Sequence, residues 1–305
     1  MNGGGMANQV KSIGVIGLGS MGMGAAKSCV TAGLDVYGID LNNKALQELS
    51  EFGAKAVSNN ALDFSDQLDA VLVLVVNSKQ VNMVLFDTGL AASLKPGTVV
   101  MVSATISAED AKNIEQKLKE HQLIMLDAPV SGGAAKAATG DMTIMASGST
   151  LAFEKLQPVL DATAAKVYNI GEQIGLGATV KIIHQLLAGV HIAVGAEAMA
   201  LAARANIPLD LMYDVVTNAA GNSWMFENRM KHVVDGDYSP KSMVDIFVKD
   251  LNLVADTAKE LKFPLPLSST ALNMFLSASN AGFGQEDDSA VIKIFDGIEL
   301  PGVEK

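Results

Sequence analysis

Through the first half of the chain, short runs of aliphatic and β-branched residues alternate with stretches whose apolar positions recur at helical spacing. Strands are expected over 12–16, 36–39, 70–76, 98–102, 123–126 and 142–146, with helical stretches between them that include 44–51 and 108–120. Ser107 stands just ahead of the second of these helices, where its hydroxyl can accept an N–H that the first turn leaves unpaired. The run from Ala70 to Val76 is apolar on both faces of a strand period, which suits a central parallel strand covered by helices on each side. The alternation predicts βαβ units and a doubly wound α/β sheet.

From about Gly175 the pattern changes to long helical periodicity, over 176–205, 209–219 and 243–261. Pro264 and Pro266 then interrupt the chain before further helices over 268–281 and 287–295. The expected organisation is an α/β domain over 10–172 and an all-helical domain over 173–305, opened by a long interdomain helix. Residues 1–9 are rich in Gly and Asn and lack an apolar h-region. They read as a disordered or extra segment and not as a signal peptide.

Composition narrows the function classes. With 305 residues, 49% hydrophobic and 18% charged, the chain can bury cores in both domains. A formal charge of −11, with no sharp basic cluster, would repel a phosphate backbone, so no nucleic-acid partner is expected. The single cysteine, Cys29, cannot form an internal disulfide, which fits a cytoplasmic location. The weakly charged stretch 186–204 is long enough to span a bilayer, but His191 and Glu197 interrupt it and Ala and Gly dominate it. It is expected to be a helix of a soluble fold, with no membrane span.

Candidate chemistry begins directly after the first strand, at Gly17-Leu18-Gly19-Ser20-Met21-Gly22. In this G-x-G-x-x-G, Gly17 permits a tight turn, Gly19 lets backbone approach a pyrophosphate, and Gly22 allows close packing of helix on strand. The helix that follows offers free N–H groups to the anion. Asp40 stands eighteen residues past Gly22 at the end of the second strand, where a carboxylate can bind the adenosine ribose hydroxyls. The residue after it is Leu41 and not Arg, and Asp40 itself would repel a 2′-phosphate, so NAD is predicted over NADP. Gly19 and Gly24 have Walker A spacing, but Ala25 occupies the lysine position. The first domain is accordingly read as a Rossmann domain. Val76 and Asn77, where the long apolar strand ends, join the cofactor-binding candidates.

Three segments place polar residues in apolar or small-residue surroundings. In Asp127-Ala128-Pro129-Val130-Ser131-Gly132-Gly133, Ser131 and the N–H groups of Gly132 and Gly133 can hold a carboxylate; the alternative is a Pro-Gly-Gly connection with no ligand. In the second, 175–185, Lys181 lies among apolar neighbours near the start of the long helix. Desolvation and the positive end of the helix dipole both disfavour an ammonium there, so its pKa is expected to fall toward the range useful for proton transfer. Gln185 at i+4 and His184 at i+3 stand close by and can hold a substrate. The alternative is a lysine that snorkels to water from the first turn. His184 and His191 share a face, yet no carboxylate or Cys stands at ligand spacing, so no metal site is expected. The third segment is Lys249-Asp250-Leu251. Lys249 there is either a second cation for an anionic substrate or cofactor, or a solvated or ion-paired helix lysine.

Taken in order, these segments resemble the β-hydroxyacid dehydrogenase family, which includes 3-hydroxyisobutyrate and tartronate semialdehyde dehydrogenases, and the resemblance covers nearly the whole chain. Residues 14–22 look like the family's cofactor loop, 127–133 like its substrate loop, 175–185 like its catalytic segment and Lys249-Asp250 like its late cofactor-side lysine. The resemblance implies NAD(P)-dependent oxidation of the alcohol of a short hydroxy acid. Lys181 matches the catalytic lysine, Ser131, Gly132 and Gly133 the substrate-anchoring loop, and Thr105 a threonine on the nicotinamide side. The family usually follows its lysine with Asn-Asn at i+3 and i+4, whereas this chain has His184-Gln185, so the substrate contact must differ. Residues 181–204 and 219–229 look most like a branch acting on the 2-hydroxyl of a four-carbon sugar acid, for which Asn222, Ser223 and Asn228 are plausible further contacts. The rival readings are oxidation of 3-hydroxyisobutyrate, reduction of tartronate semialdehyde, or a dinucleotide-binding scaffold without chemistry, against which the intact Lys181 speaks. The resemblance also implies a homodimer or homotetramer joined through the helical domains.

Overall fold

The structure, a computed structural model, describes residues 9–303. The expectation for residues 1–9 therefore lies, apart from Gln9, outside the described residues. The strands are β1 Ser12–Ile16, β2 Asp35–Ile39, β3 Ala56–Ser58, β4 Ala70–Val73, β5 Val99–Val102, β6 Ile124–Asp127, β7 Val130–Ser131, β8 Met142–Gly148 and β9 Ala164–Gly171. They form one sheet in the order β3-β2-β1-β4-β5-β6-β8-β7, with β9 beside β8. The first six in this order run parallel, and β8 pairs antiparallel with β6 and β7. The helices of this part are α1 Ser20–Thr31, α2 Asn43–Phe52, α3 Ser78–Asn82, α4 Leu90–Ser93, α5 Ala108–Glu120, α6 Gly133–Ala138 and α7 Thr150–Thr163. After them come α8 Leu176–Arg204, α9 Leu209–Thr217, α10 Trp224–Asp235, α11 Val244–Glu260 and α12 Pro266–Ala278.

The chain is thus a Rossmann-like sheet with helices followed by a helical part, and it divides into two compact units at Lys181 and Ile182. The division falls inside α8, later than residue 172. In the first unit the sheet has an apolar core on each face. Ile13, Val15, Leu72, Met101 and Leu126 point to one core, and Val71, Val73, Val100 and Val102 to the other. This is the two-sided burial that continuous aliphatic runs require.

Several boundaries differ from the sequence reading, for local reasons. The run 70–76 leaves the sheet after Val73, because the parallel strands end together at their carboxyl edge and the chain peels away beside the glycine loop. Helix α7, not among the expected elements, runs through Pro158, and Ser149 caps it by accepting the Ala152 N–H. Strand β9 was missed because its residues are half-buried or exposed, and β3, β7 and α10 went unread as well. Pro266, expected to lie before its helix, opens it instead, since the first turn needs no N–H from that residue. The last expected helix, 287–295, is a tighter 3-10 turn over Asp288–Ile294.

The second unit packs the buried face of α8 against Phe226, Met230, Phe247, Leu251 and Phe275. By length and composition α8 is apolar enough to cross a bilayer, but half of its most apolar window is buried inside the fold. The unit also holds two adjacent acids, Asp287 and Asp288, whose side chains are fully buried. Asp288 Oδ1 accepts from Arg229 Nε at 2.7 Å, and Asp287 Oδ1 lies 2.9 Å from His232 Nδ1 and accepts from the Ser289 hydroxyl at 2.6 Å. Burial pushes the Asp288 carboxyl up to about 7 despite the Arg229 guanidinium. Asp287 is held below the usual carboxylate range, since its hydrogen bonds from His232 and Ser289 outweigh the cost of burial.

Candidate functional site

The glycine loop forms where β1 ends. Gly17 has φ +92°, and a Cβ there would lie 2.4 Å from the Leu74 carbonyl oxygen. A Cβ on Gly22 would lie 1.8 Å from the Gly17 carbonyl oxygen, so both positions demand glycine for the fold itself. Gly19 differs, because a Cβ there would meet nothing within 4 Å. Packing does not require a glycine at 19, and the space beside it is open to a ligand. Helix α1 begins there with no side-chain cap and no acid in its first turn, so its N-terminal N–H groups are offered to an anion. Leu18 is buried, Ser20 is exposed and Met21 half-buried along the same loop.

Asp40 reaches this loop. Its Oδ2 accepts the Leu18 N–H at 2.6 Å, and its Oδ1 accepts the Asn42 N–H at 2.8 Å. The carboxylate therefore stands at the glycine loop as well as opening the turn into α2, while Leu41 is 85% exposed and supplies no cation. An open Gly19, an uncapped helix end and a carboxylate one strand over suit the pyrophosphate and ribose of a dinucleotide.

The other sequence-predicted residues of this unit follow the carboxyl ends of the same parallel strands. Val76 and Asn77 lie beyond β4, Thr105 beyond β5 and Ser131 beyond β6. The Asn77 side chain is occupied as the cap of α3, accepting the Gln80 N–H at 2.9 Å. Ser131 closes β7, and Gly132 and Gly133 follow with φ of +130° and +69°, a pair of left-handed positions that only glycines fill cheaply. The contact that brings this loop to the cofactor loop was not legible in the sequence. A Cβ on Gly24 of α1 would lie 2.5 Å from the Ala137 carbonyl carbon of α6, and the Ser28 hydroxyl donates to the Ala137 carbonyl at 3.2 Å. Gly24 lets α1, which carries the dinucleotide loop, touch α6, which carries the Ser131 loop.

Asp127 was noticed in the sequence only as the start of a loop, and the structure gives it a larger part. It is 1% exposed, and its Oδ2 accepts N–H groups from Gly175 and Ala178 at 3.0 and 2.9 Å. Ser147 bridges the same oxygen to the Gly177 N–H. The end of β6 thus caps α8 and fixes where Lys181, in the second turn of that helix, emerges. Lys181 is 6% exposed, so it does not snorkel to water. Burial raises the Asp127 carboxyl above its ordinary range, with the bonds from Ala178, Gly175 and Ser147 opposing. A raised folded-state value makes the wild type gain stability, relative to Asp127→Asn, below the unfolded value and lose that gain as pH rises through the folded value. Urea unfolding of both proteins across the acid range should show the difference shrinking as pH rises. A difference that grows with pH would contradict this.

In the second unit, His184 Nδ1 lies 2.9 Å from Gln185 Oε1, Gln185 Nε2 donates to Asp250 Oδ2 at 2.6 Å, and Lys249 Nζ stands 2.9 Å from Asp250 Oδ1. Gln185 is 8% and Asp250 2% exposed. Lys249 is therefore an ion-paired lysine, and Asp250, to which the sequence reading gave no role, joins α11 to α8. Asn222, Ser223 and Asn228 are engaged locally. Ser223 caps α10 by accepting the Phe226 N–H, the Asn222 amide donates to Glu227, and Asn228 accepts from Arg229.

Fold and loop together define a dinucleotide-binding protein of the Rossmann class. Residues 12–171 match the NAD-binding domain of 6-phosphogluconate dehydrogenase, and residues 175–295 match the family described as NAD-binding of NADP-dependent 3-hydroxyisobutyrate dehydrogenase. The chain belongs to the β-hydroxyacid dehydrogenase family. It is 76% identical to L-threonate dehydrogenase of Pectobacterium atrosepticum, covering 95% of this chain and 96% of that one. To the L-threonate dehydrogenase of Escherichia coli K12 it is 72% identical over the same shares. Its fold is similar to the crystal structure of 3-hydroxyisobutyrate dehydrogenase from Salmonella typhimurium, with a TM-score of 0.91, 67% identity and coverage of 93% of this chain and 99% of that one.

Proposed function

We propose that the protein oxidises the C2 hydroxyl of L-threonate with NAD, giving 2-dehydro-L-erythronate. The observation that carries the substrate is the 76% identity, over 95% of the chain, to a protein of that activity. The relative described as a 3-hydroxyisobutyrate dehydrogenase supplies the rival reading. His184-Gln185, in place of Asn-Asn, changes the length and geometry of the polar contact one turn past Lys181, which sets this chain apart from family members that carry two asparagines there.

When bound, NAD supplies the hydride acceptor for the C2 hydrogen. Gly17 to Gly22 and the end of α1 would hold its pyrophosphate and Asp40 its adenosine ribose, with Val76, Asn77 and Thr105 as the further cofactor-binding residues of the same unit. The substrate carboxylate docks on Ser131 and the N–H groups of Gly132 and Gly133. Lys181 Nζ accepts the C2 hydroxyl proton as the hydride departs, and its ammonium then faces the new carbonyl oxygen. His184 and Gln185 hold a neighbouring hydroxyl. NADH formation with L-threonate, D-threonate, D-erythronate, D-glycerate and 3-hydroxyisobutyrate tests this reading, with selective turnover of L-threonate expected and turnover of 3-hydroxyisobutyrate alone overturning it.

The preference for NAD rests on Asp40, which stands where a 2′-phosphate would fall. Asp40→Ser is expected to lower the ratio of kcat/KM with NAD to that with NADP by about tenfold or more, since one lost ribose contact and one relieved repulsion act in the same direction. An unchanged ratio would reject the ribose assignment.

The outer face of α8 supports a homo-oligomer. Ile183, Leu187, Val194 and Leu201 are exposed there, with Val190 half-buried between them, and 187, 194 and 201 repeat at heptad spacing. Such a seam fits the same helix of a second copy, which supports a homodimer or a homotetramer built from it. Changing Leu187 and Val194 together to Glu should reduce the mass seen by light scattering, and an unaltered oligomer would exclude the seam. Cys29 is buried, with its thiol pushed up to about 12 by burial, which suits an unreactive thiol in the cytoplasm.

A further inference from the structure

Lys136 stands one turn beyond Gly132, and its position follows from helix geometry. Side chains on a helix lean toward the N-terminus, so the residue at i+4 lies back over the one directly before α6. A Cβ built on Gly132 would meet Lys136 Cβ at 2.8 Å, Cγ at 3.3 Å and Cδ at 2.9 Å, so the aliphatic stem runs across Gly132. The ammonium is two bonds past Cδ, which keeps it, as seen from Gly132, within the screening length of physiological salt, about 8 Å. Lys136 is exposed, and among the described residues its ammonium has no hydrogen bond and no carboxylate within ion-pair distance. Next to it in the loop, Gly133 has open space at its side, since a Cβ there would meet nothing within 4 Å. An uncompensated cation thus stands beside an open glycine of the 131–133 loop. The lysines of the other candidate segments differ, because Lys249 is ion-paired to Asp250 and Lys181 is buried.

We propose that Lys136 is the cation that draws the substrate carboxylate to the 131–133 loop, acting through its field on capture of the acid and not on the chemical step. This deepens the reading above and rests on it for the place of the carboxylate. The need for such a charge comes from the chain as a whole. With 33 acids against 22 bases the protein carries a formal charge of −11, so an anionic substrate is repelled at long range. A lysine paired to an acid does not offset this, because the two opposite charges nearly cancel beyond a few Å. An unpaired lysine at the loop does. Its ammonium is compact, hydrated and carried on a flexible stem, so it attracts an anion without having to shed water or hold one geometry. The consequence is selectivity for charge. Carboxylates are favoured over neutral amides of the same skeleton, whichever hydroxyl is oxidised.

The test is the salt dependence of capture, with kcat and KM for L-threonate measured at saturating NAD from about 0.02 to about 0.5 M NaCl. Lys136→Met keeps a stem across Gly132 without the charge. At low salt it should lower kcat/KM about threefold, the worth of one charge at this range in a water-like medium, with the loss confined to KM. The gap to wild type should close as salt rises. Lys136→Glu should lower kcat/KM about tenfold at low salt and recover with salt, whereas Lys136→Arg should behave as wild type. The Kd for NADH, read by fluorescence titration, should be the same in all four proteins. A Lys136→Met protein that matches wild type at low salt overturns the proposal. So does a loss that stays constant across the salt series, which would mean that the stem acts by packing, or a rise in the NADH Kd that matches the rise in KM, which would assign the charge to the cofactor. If wild type oxidises another acid of the panel and not L-threonate, the substrate reading falls and the same series on that acid decides the role of Lys136. Silence across the whole panel overturns both.

Discussion

Replacing Lys181 with alanine is expected to lower kcat for NAD-dependent oxidation by about 10²–10⁴-fold, the usual worth of one positioned general base, while NADH still binds. The expectation rests on placement. Asp127, at the end of β6, fixes the first turn of α8, and Lys181 follows one turn later with 6% of its surface exposed. A lysine buried beyond a fixed helix start is not free to be replaced by a neighbour or by water. Lys181→Met, which keeps the length and apolar stem without the amine, should be as inactive as the alanine variant and better folded. Stopped-flow turnover and NADH fluorescence titration on the same preparations separate chemistry from cofactor binding. A folded Lys181→Met protein with kcat within a few-fold of wild type would remove the lysine from the mechanism.

The second large effect is on stability. Arg229→Ala should destabilise the protein by about 3–5 kcal/mol, because it leaves the Asp288 carboxylate buried and without its guanidinium. Asp288 already has a value raised to about 7 by burial, against 3.8 for an ordinary side chain. Its contribution is therefore fully present below about 3.8 and is lost as pH rises to about 7, where the folded protein must carry the charge. Without Arg229 that charge has no adjacent cation, so the deficit of the variant should be larger at pH about 8 than at pH about 5. Placing Arg229→Ala on an Asp288→Asn background should recover most of the loss, which a urea-unfolding double-mutant cycle measures. A deficit that is the same in both backgrounds would show that Arg229 matters through packing and not through charge.

The fold was legible where local chemistry and tertiary role agree. The aliphatic runs of β1, β4 and β5 mark strands buried on both faces, and Ser107 caps α5 by accepting the Asp110 N–H, as its position predicts. The glycine loop and Asp40 could be found because each occupies a fixed spacing within one βαβ unit. What escaped the sequence depends on contacts between distant segments. Gly24 matters only because α6, more than a hundred residues on, lies against it, and nothing local distinguishes it from any small helix residue. Asp127 caps α8 from a strand far upstream, and Asp250 orients Gln185 from another helix, so neither spacing nor periodicity signals them. Ser223, a plausible contact for a four-carbon sugar acid from the resemblance of 219–229, has its hydroxyl engaged as the cap of α10.

In the proposed reaction hydride leaves C2 of L-threonate, and L-threonate deuterated at C2 tests this most directly. Incubated with NAD, the protein should give the 2-keto acid together with deuterium on the reduced nicotinamide, read by mass spectrometry of the recovered cofactor. Reduced cofactor that carries only protium, or no reduction with L-threonate while 3-hydroxyisobutyrate is oxidised, would contradict it.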